Sequence, residues 1–218
     1  QSFNTNFRVI LEERSTNKEY YREEEITFIV ERLMVILKYL ADNKIYHLNI
    51  TDENLILMEN GALKLNGCYE NFFDTSTGDI SFYSNIKPRE IMYFSPELKE
   101  AYKSQSTNIQ NFDPHKSDIF SVGMLALQMI YLGLDENDVG TRKSLEDLLK
   151  QLKKQLPNFC PILVKMLAWE PSQRESAKEI ITLLQTCIRE KPPEALGLYK
   201  TKRLREKTTK KGLSKSEA

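Results

Sequence analysis

The sequence is poor in the residue types that build metal sites, disulfide scaffolds and phosphate-binding loops. Its 218 residues include three cysteines and only two histidines. The cysteines, Cys68, Cys160 and Cys187, lie too far apart for a zinc site, and their low, odd number is typical of a reducing compartment. None of the eight glycines forms a G-x-G pair, which excludes a glycine-rich nucleotide-binding loop. We therefore expect neither a metal ion nor a cofactor.

Long hydrophobic runs and a net charge are also missing. The longest apolar stretch, around residues 122–132, is interrupted by Gln128 and is too short to cross a bilayer. Basic and acidic residues are equal in number, 31 of each, which excludes a uniformly basic nucleic-acid binder. The chain begins with Gln1 and shows no signal-peptide pattern, so we expect a fragment of a longer cytoplasmic protein.

The overall balance of charge conceals a strongly basic C-terminal segment. Residues 199–218 contain eight basic and two acidic residues, so they carry +6 and the preceding residues carry −6. Pro192 and Pro193 end the last helical pattern. The sequence therefore predicts a folded domain over residues 1–190 and a basic tail over residues 191–218. The tail residues expected to contact a partner with an acidic surface are Lys200, Lys202, Arg203, Arg205, Lys207, Lys210 and Lys211.

Hydrophobic residues make up 40% of the chain, enough for a core, and their periodicity predicts a mainly helical domain. Residues 7–11 alternate weakly between apolar and polar side chains and are partly β-branched, which predicts a short strand. Residues 23–40 repeat apolar side chains at helical spacing and predict an amphipathic helix. Two short apolar runs, 55–57 and 62–65, flank Asn60-Gly61, and this pattern predicts a β-hairpin.

The C-terminal half of the domain is expected to contain only helices. Residues 119–132 are apolar nearly all round and predict a central buried helix, with Ser117 or Asp118 as its N-cap and Gly133 at its end. A leucine stripe over residues 145–156 predicts another helix. The capping-box pattern Ser-x-x-Glu at residues 176–179 opens the last one.

Five short motifs resemble conserved motifs of protein kinases. Residues 47–57, HLNITDENLIL, resemble the catalytic loop H-R-D-x-K-x-x-N and the strand after it. Residues 63–69, LKLNGCY, resemble the approach to the D-F-G triplet. Residues 93–97, YFSPE, resemble the A-P-E end of the activation segment. Residues 116–123, KSDIFSVG, are similar to the D-x-W-S-x-G helix start, and residues 169–174, WEPSQR, to the D-P-x-x-R turn.

The motifs occur in kinase order over roughly residues 7–190, so the chain resembles the C-terminal lobe of a protein kinase. The implied fold is mainly α, a kinase C-lobe-like helical domain with a short β-hairpin, whose N-lobe is absent or truncated and whose first element is a hinge strand over residues 9–13. The resemblance also implies that Glu97 and Arg174 form a buried structural pair. It implies that Asp118 accepts backbone hydrogen bonds from the catalytic loop.

Departures from the kinase motifs predict the loss of catalysis. Asn49 stands at the position of the catalytic aspartate, and an amide cannot take a proton from a substrate hydroxyl. Thr51 replaces the phosphate-contacting lysine, Leu48 replaces the arginine, and Gly67 replaces the metal-binding aspartate of D-F-G. Phosphoryl transfer depends on these groups for positioning and charge neutralisation, so the resemblance implies a pseudokinase without enzymatic activity. The degenerate loop residues are His47, Asn49, Thr51 and Asn54.

Three functional hypotheses follow. The first is a non-catalytic interaction or scaffold module, similar to the kinase non-catalytic C-lobe domains that bind segments of cytoskeletal regulators. The second is a divergent serine/threonine kinase whose N-lobe is missing from this chain. The third is a tail-driven binder of tubulin or RNA. Only Tyr199 lies among the basic residues, which favours an acidic protein surface over nucleic acid as the partner. We expect a cytoplasmic, cytoskeleton-associated protein without a membrane span, working in a larger assembly.

Overall fold

A computed structural model describes residues 5–58, 60–68, 77, 86–109 and 112–187, and within them the fold is mainly helical. The small sheet consists of β1 Thr5–Asn6, β2 Leu55–Leu57 and β3 Leu63–Leu65. A 3₁₀ turn lies at Pro171–Gln173. The α-helices of the described residues are α1 Phe7–Asn17, α2 Glu23–Asp42, α3 Pro88–Ile91, α4 Pro96–Ser104, α5 Pro114–Tyr131, α6 Glu136–Val139, α7 Arg142–Leu152, α8 Cys160–Met166 and α9 Ala177–Cys187.

The predicted hairpin is present as β2 and β3. The two strands pair antiparallel, with Leu55 opposite Leu65 and Leu57 opposite Leu63. A third strand, β1, extends the sheet by pairing antiparallel with β2 on its other edge. Because β2 lies between two partners, the start of this strand is fixed in space, and so is the end of the loop that precedes it.

The strand predicted over residues 7–11 is wrong, because these residues form the first turns of α1. The side chain of Asn6 caps this helix, its Oδ1 accepting a hydrogen bond from the backbone N–H of Val9 at 3.1 Å. Phe7 and Leu11, four residues apart, bury the same helix face. A run of five residues with Arg8 among four apolar side chains fits either periodicity, and the Asn6 cap favours the helix here. The hinge strand predicted over residues 9–13 is wrong for the same reason, since the strand of this region is β1.

The central buried helix is confirmed as α5. Every residue from Ser117 to Met129 is buried, as the all-round apolar pattern predicts. The helix starts earlier than expected because Asp113, not Ser117 or Asp118, is its N-cap, accepting hydrogen bonds from two backbone N–H groups of the first turn. Leu132, rather than Gly133, takes the left-handed conformation that ends it. Asp118 lies one turn inside the helix and is therefore available for contacts elsewhere.

The remaining long helices pack around α5. Helix α2 contacts both α5 and α9, burying one face that includes Ile29, Leu33 and Leu37. The predicted capping box opens α9, where the backbone N–H of Ser176 donates to Glu179 Oε2 at 2.7 Å. No helix of the described residues is long and apolar enough to cross a membrane.

Candidate functional site

The loop between α2 and β2 is held by a buried carboxylate on α5. Asp118 Oδ2 accepts the backbone N–H of His47 at 2.9 Å, and its Oδ1 accepts that of Leu48 at 2.7 Å. Asp118 is only 2% exposed. Burial raises the pKa of Asp118 to about 7, and the two N–H groups act in the opposite direction because they favour the carboxylate. The position of the loop thus follows the position of α5.

His47 is packed inside this loop. Its side chain is 3% exposed, and Nδ1 accepts the backbone N–H of Asn49 at 3.3 Å. Burial lowers the pKa of His47 to about 4, because the low-dielectric interior disfavours the charged imidazolium. The residue is therefore neutral at pH 7 and acts as a structural acceptor rather than as an acid or base.

Leu48 joins the loop to the segment that precedes α4. Its backbone has a φ of 54°, in the left-handed region that disfavours leucine. Its side chain is buried in a hydrophobic cluster with Ile86, Phe94 and Leu98. At the position where the kinase motif has an arginine, this chain makes an apolar contact instead.

The side chains of Asn49 and Asn54 close the loop against Gly67, two residues after β3. Asn49 Nδ2 donates to the carbonyl oxygen of Gly67 at 2.7 Å, and Asn54 Nδ2 donates to the carbonyl oxygen of Asn49 at 3.0 Å. Gly67 has a φ of +70°, and a Cβ added there would lie 2.8 Å from Asn54 Oδ1. The three positions that match catalytic and metal-binding residues of kinases are thus linked to one another by amide hydrogen bonds.

Thr51 has a structural place in the same loop. The residue is 2% exposed, and its Oγ1 accepts the backbone N–H of Asn54 at 3.3 Å. The kinase motif has a cationic lysine here, whereas the threonine supplies only a hydroxyl directed at the backbone of its own loop.

Two acidic residues of the loop form a network that the motif comparison does not predict. Asp52 is 1% exposed, and its Oδ2 accepts a hydrogen bond from Arg89 Nη2 at 2.6 Å. Glu53 Oε2 accepts from Lys87 Nζ at 2.7 Å, and Arg8 binds the other carboxylate oxygen. The hydrogen bond from Lys87 keeps the pKa of Glu53 below its ordinary value, and Arg8 acts in the same direction. The basic partners lie about 35 to 45 residues away, so local sequence gives no signal beyond the sign of the charges.

A second structural feature joins the start of α4 to the turn before α9. Arg174 donates to Glu97 through both terminal nitrogens, Nη1 to Oε1 at 2.6 Å and Nη2 to Oε2 at 2.7 Å. The Arg174 side chain is fully buried, its Nε donates to the carbonyl oxygen of Ala168 at 2.7 Å, and its guanidinium lies 4.9 Å from the ring of Phe120. The bidentate pair, implied by the kinase motifs, therefore ties three parts of the domain together.

The remaining titratable residues and the basic tail add no further site within the described residues. In that part of the chain no group of three or more His, Cys, Asp or Glu side chains is placed to hold a metal ion. Cys160 is buried, whereas Cys68 and Cys187 are exposed. The basic residues proposed to bind a partner, between residues 200 and 211, lie outside the described residues.

Comparison with known proteins places these motifs in a family context. No protein-family model matches the chain. A Candida glabrata protein called non-specific serine/threonine protein kinase is 28% identical over 189 residues, which cover 81% of this chain and 13% of that protein. Serine/threonine-protein kinase ATG1c of Arabidopsis thaliana is 23% identical over 175 residues, covering 77% of this chain and 20% of its own length. The chain is a protein kinase-like domain.

A third relative carries a different name. Nuclear receptor-binding protein 2 of Mus musculus is 26% identical to the kinase-like domain over 144 residues, covering 63% of this chain and 26% of that protein. The kinase-like domain thus spans no more than about a quarter of the length of these three relatives. The similarity and the mainly helical structure together confirm the predicted C-lobe-like fold.

We expect Glu97→Gln to lower the free energy of unfolding by about 3–5 kcal/mol, because the buried Arg174 guanidinium then lacks its counter-charge. Glu146→Gln makes the same chemical change in the exposed pair that Glu146 forms with Arg142. This control should cost less than about 1 kcal/mol. Urea unfolding followed by the fluorescence of the single tryptophan measures both variants. Equal effects of the two substitutions would show that the buried pair has no special structural role.

We expect His47→Gln to change the pH dependence of stability between about pH 4 and 6.5. In the folded chain His47 stays neutral over this range, whereas the unfolded chain binds a proton there, so wild-type stability falls with falling pH. The variant lacks this loss. The free energy of unfolding of the wild type minus that of the variant should therefore rise by up to about 3 kcal/mol from pH 4 to pH 7.

The raised pKa of Asp118 has the opposite effect, because the folded chain then keeps a proton that the unfolded chain has released. This contribution is present in both proteins, so it cancels when their unfolding free energies are subtracted. Urea unfolding at half-unit pH intervals gives the two curves. If the curves run parallel, His47 is not the group that titrates.

Proposed function

We propose that the kinase-like domain is a non-catalytic protein-interaction module, a pseudokinase that acts as a scaffold. The observation that carries this proposal is the hydrogen bond from the Asn49 amide to the Gly67 carbonyl, formed where kinases have two carboxylates. A neutral carboxamide is too weakly basic to take the proton of a substrate hydroxyl, and a backbone carbonyl is a weaker magnesium ligand than a carboxylate. At these two positions, therefore, no side chain supplies a catalytic base or a carboxylate ligand for magnesium.

The residues present do not fit a magnesium–nucleotide complex. Asn54 is the one position that matches a metal ligand; its amide nitrogen donates to the carbonyl of Asn49, which leaves the neutral Oδ1 as the one oxygen this side chain can offer a metal ion. An aspartate at position 67 would be strained, because the backbone there has a positive φ and a Cβ would meet Asn54 Oδ1. We therefore derive no phosphoryl-transfer step for this domain.

The loop acids are also engaged by the chain's own cations. Asp52 is paired with Arg89, and Glu53 is paired with Lys87 and Arg8. A carboxylate held in two ion pairs has little remaining attraction for a basic substrate or a metal ion. These pairs support a structural use of the loop, in which it connects α1, α3 and the sheet.

The partner that we propose is a protein with an acidic surface, bound through the basic tail. The tail is rich in lysine and arginine and poor in apolar residues, so charge is the main source of attraction that its sequence offers a partner. Near an anionic surface each lysine or arginine contributes on the order of 1 kcal/mol or less. We further propose a cytoplasmic location on a cytoskeletal surface such as tubulin, as part of a larger assembly.

We expect no magnesium-dependent binding of ATP. Thermal unfolding should give the same melting temperature with and without millimolar Mg-ATP, whereas a nucleotide present at 100 times its dissociation constant would stabilise the domain by about 2.7 kcal/mol. A saturable stabilisation that disappears with EDTA and in Asn54→Ala would contradict the proposal. That result would favour the second hypothesis, a divergent serine/threonine kinase.

We expect deletion of residues 199–218 to weaken binding to poly-L-glutamate and to flatten its salt dependence, while the melting temperature of the domain stays the same. Fluorescence anisotropy at 50 to 300 mM salt measures the binding, and the slope reports the number of charges in contact. The full chain and the truncated chain are compared under the same conditions.

Two charge-matched variants provide the control for this experiment. One replaces Lys200, Lys202 and Lys207 of the tail by glutamine, and the other replaces the exposed body lysines Lys143, Lys153 and Lys154. Only the tail variant should weaken binding by several-fold. If both variants weaken it equally, or if the truncation unfolds the domain, the assignment of the tail is wrong.

A further inference from the structure

Helix α2 carries a second row of side chains, which starts at the edge of the core with Phe28 and becomes exposed toward the end of the helix. Phe28, Arg32, Val35 and Tyr39 follow one another at spacings of four, three and four residues, so they lie in one row along the helix. Val35 is 45% and Tyr39 66% exposed, and Phe28 is half-buried. The row is three turns and about 16 Å long at 1.5 Å per residue. We call these four residues the α2 stripe.

The stripe differs from scattered surface apolar residues because of its spacing. Spacings of four and three residues place side chains in the seam of two packed helices, where each apolar side chain inserts between residues of its neighbour. The opposite side of α2 already packs against α5 and α9. The spacing therefore gives α2 a second helix-packing pattern, and within the described residues its apolar side chains Val35 and Tyr39 are exposed.

The charge in the middle of the stripe belongs to Arg32. Its neighbours at helical spacing are Phe28, Ile29, Val35 and Ile36, so the helix itself offers it no acidic partner. The guanidinium lies 4.8 Å from the ring of Phe28, and among the described residues Arg32 forms no ion pair. By contrast Lys38, on the same helix, is paired with Asp42 at 2.6 Å. The stripe thus presents an apolar seam with one uncompensated positive charge at its centre.

A second copy of the chain does not complement this stripe. In a parallel pair of α2 helices, Arg32 would face Arg32 of the other copy. In an antiparallel pair centred on the stripe, Arg32 would face Val35 of the other copy, and the two guanidinium groups would be separated by about one helical turn. Both arrangements bring like charges together in a partly apolar contact, which disfavours a homodimer.

We propose that the α2 stripe docks an amphipathic helix of a partner protein whose apolar face carries one acidic residue opposite Arg32. The carboxylate neutralises Arg32, and the apolar residues on either side of it cover Val35 and Tyr39. This inference rests on the proposed function, because it gives the domain its own contact with the partner that the basic tail is proposed to bind. A contact of three turns is small, so it binds weakly alone and gains affinity when the tail holds the same partner.

Synthetic helical peptides test the proposal. One 14-residue peptide has leucines at spacings of three and four with a central glutamate, and a matched peptide has lysine in place of the glutamate. The full chain should bind the glutamate peptide at least about fivefold more tightly than the lysine peptide in fluorescence anisotropy. Arg32→Glu should reverse this preference, because the charge at the centre of the stripe is then negative.

Substitutions of the exposed apolar residues identify the surface. Val35→Ser combined with Tyr39→Ser should weaken the glutamate peptide about tenfold or more, since both side chains lose their buried contact. Val164→Ser is the matched control, because Val164 is equally exposed, at 45%, but lies on α8. Melting temperatures of all variants should stay close to that of wild type, since the altered side chains are exposed.

Three results would overturn the proposal: no saturable binding of the glutamate peptide, binding that the serine variants leave unchanged, or a preference that Arg32→Glu does not reverse. Analytical ultracentrifugation gives a fourth. A dimer that disappears in the double serine variant would assign the stripe to a second copy of the chain. The proposed function is judged separately by the nucleotide and tail measurements, so failure of the peptide experiment alone removes only the assignment of the α2 stripe.

Discussion

The arrangement of the candidate site depends on one buried carboxylate. Asp118 lies within α5, the helix around which the domain is packed, and both of its oxygens accept backbone N–H groups of the loop before β2. Leaving these N–H groups buried without acceptors would cost more than the hydrogen bonds themselves contribute. The loop is therefore fixed at one end by α5 and at the other by the sheet, and this places Asn49 and Asn54 beside Gly67.

The sequence alone identifies the elements whose patterns are long or chemically specific. The all-round apolar pattern finds α5, Asn60-Gly61 finds the hairpin, and the Ser176–Glu179 box finds the start of α9. The prediction for residues 7–11 is wrong because four apolar residues and one arginine fit both a strand and a helix, and the deciding side chain, Asn6, lies just before the run. A short apolar pattern is ambiguous wherever one capping side chain decides whether the backbone forms a helix or a strand.

The contacts of the candidate site likewise fall into those that a sequence motif predicts and those that no local pattern predicts. The kinase-like motifs predict the contacts of Asp118, Glu97 and Arg174. The contacts that the resemblance implies are the ones that these side chains make in the structure. The pairing of Asp52 with Arg89 has no such signal, because the two residues are 37 positions apart in the sequence. Many other acidic and basic residues could equally be paired at such a distance. Leu48 is similar, since its apolar partners are assembled from separate segments. These contacts arise from the packing of the chain rather than from any local pattern.

The proposed loss of catalysis in a preserved fold has a simple physical basis. Asp118 binds the backbone N–H groups of residues 47 and 48, and these groups are the same whatever side chains the loop carries. The Arg174–Glu97 pair likewise lies apart from the positions of Asn49 and Gly67. Since the two Asp118 hydrogen bonds and the Arg174–Glu97 pair do not involve the side chains at positions 49, 54 and 67, those side chains can differ while these contacts keep the loop in place. The folded domain is then a rigid support on which a surface such as the α2 stripe can bind a partner.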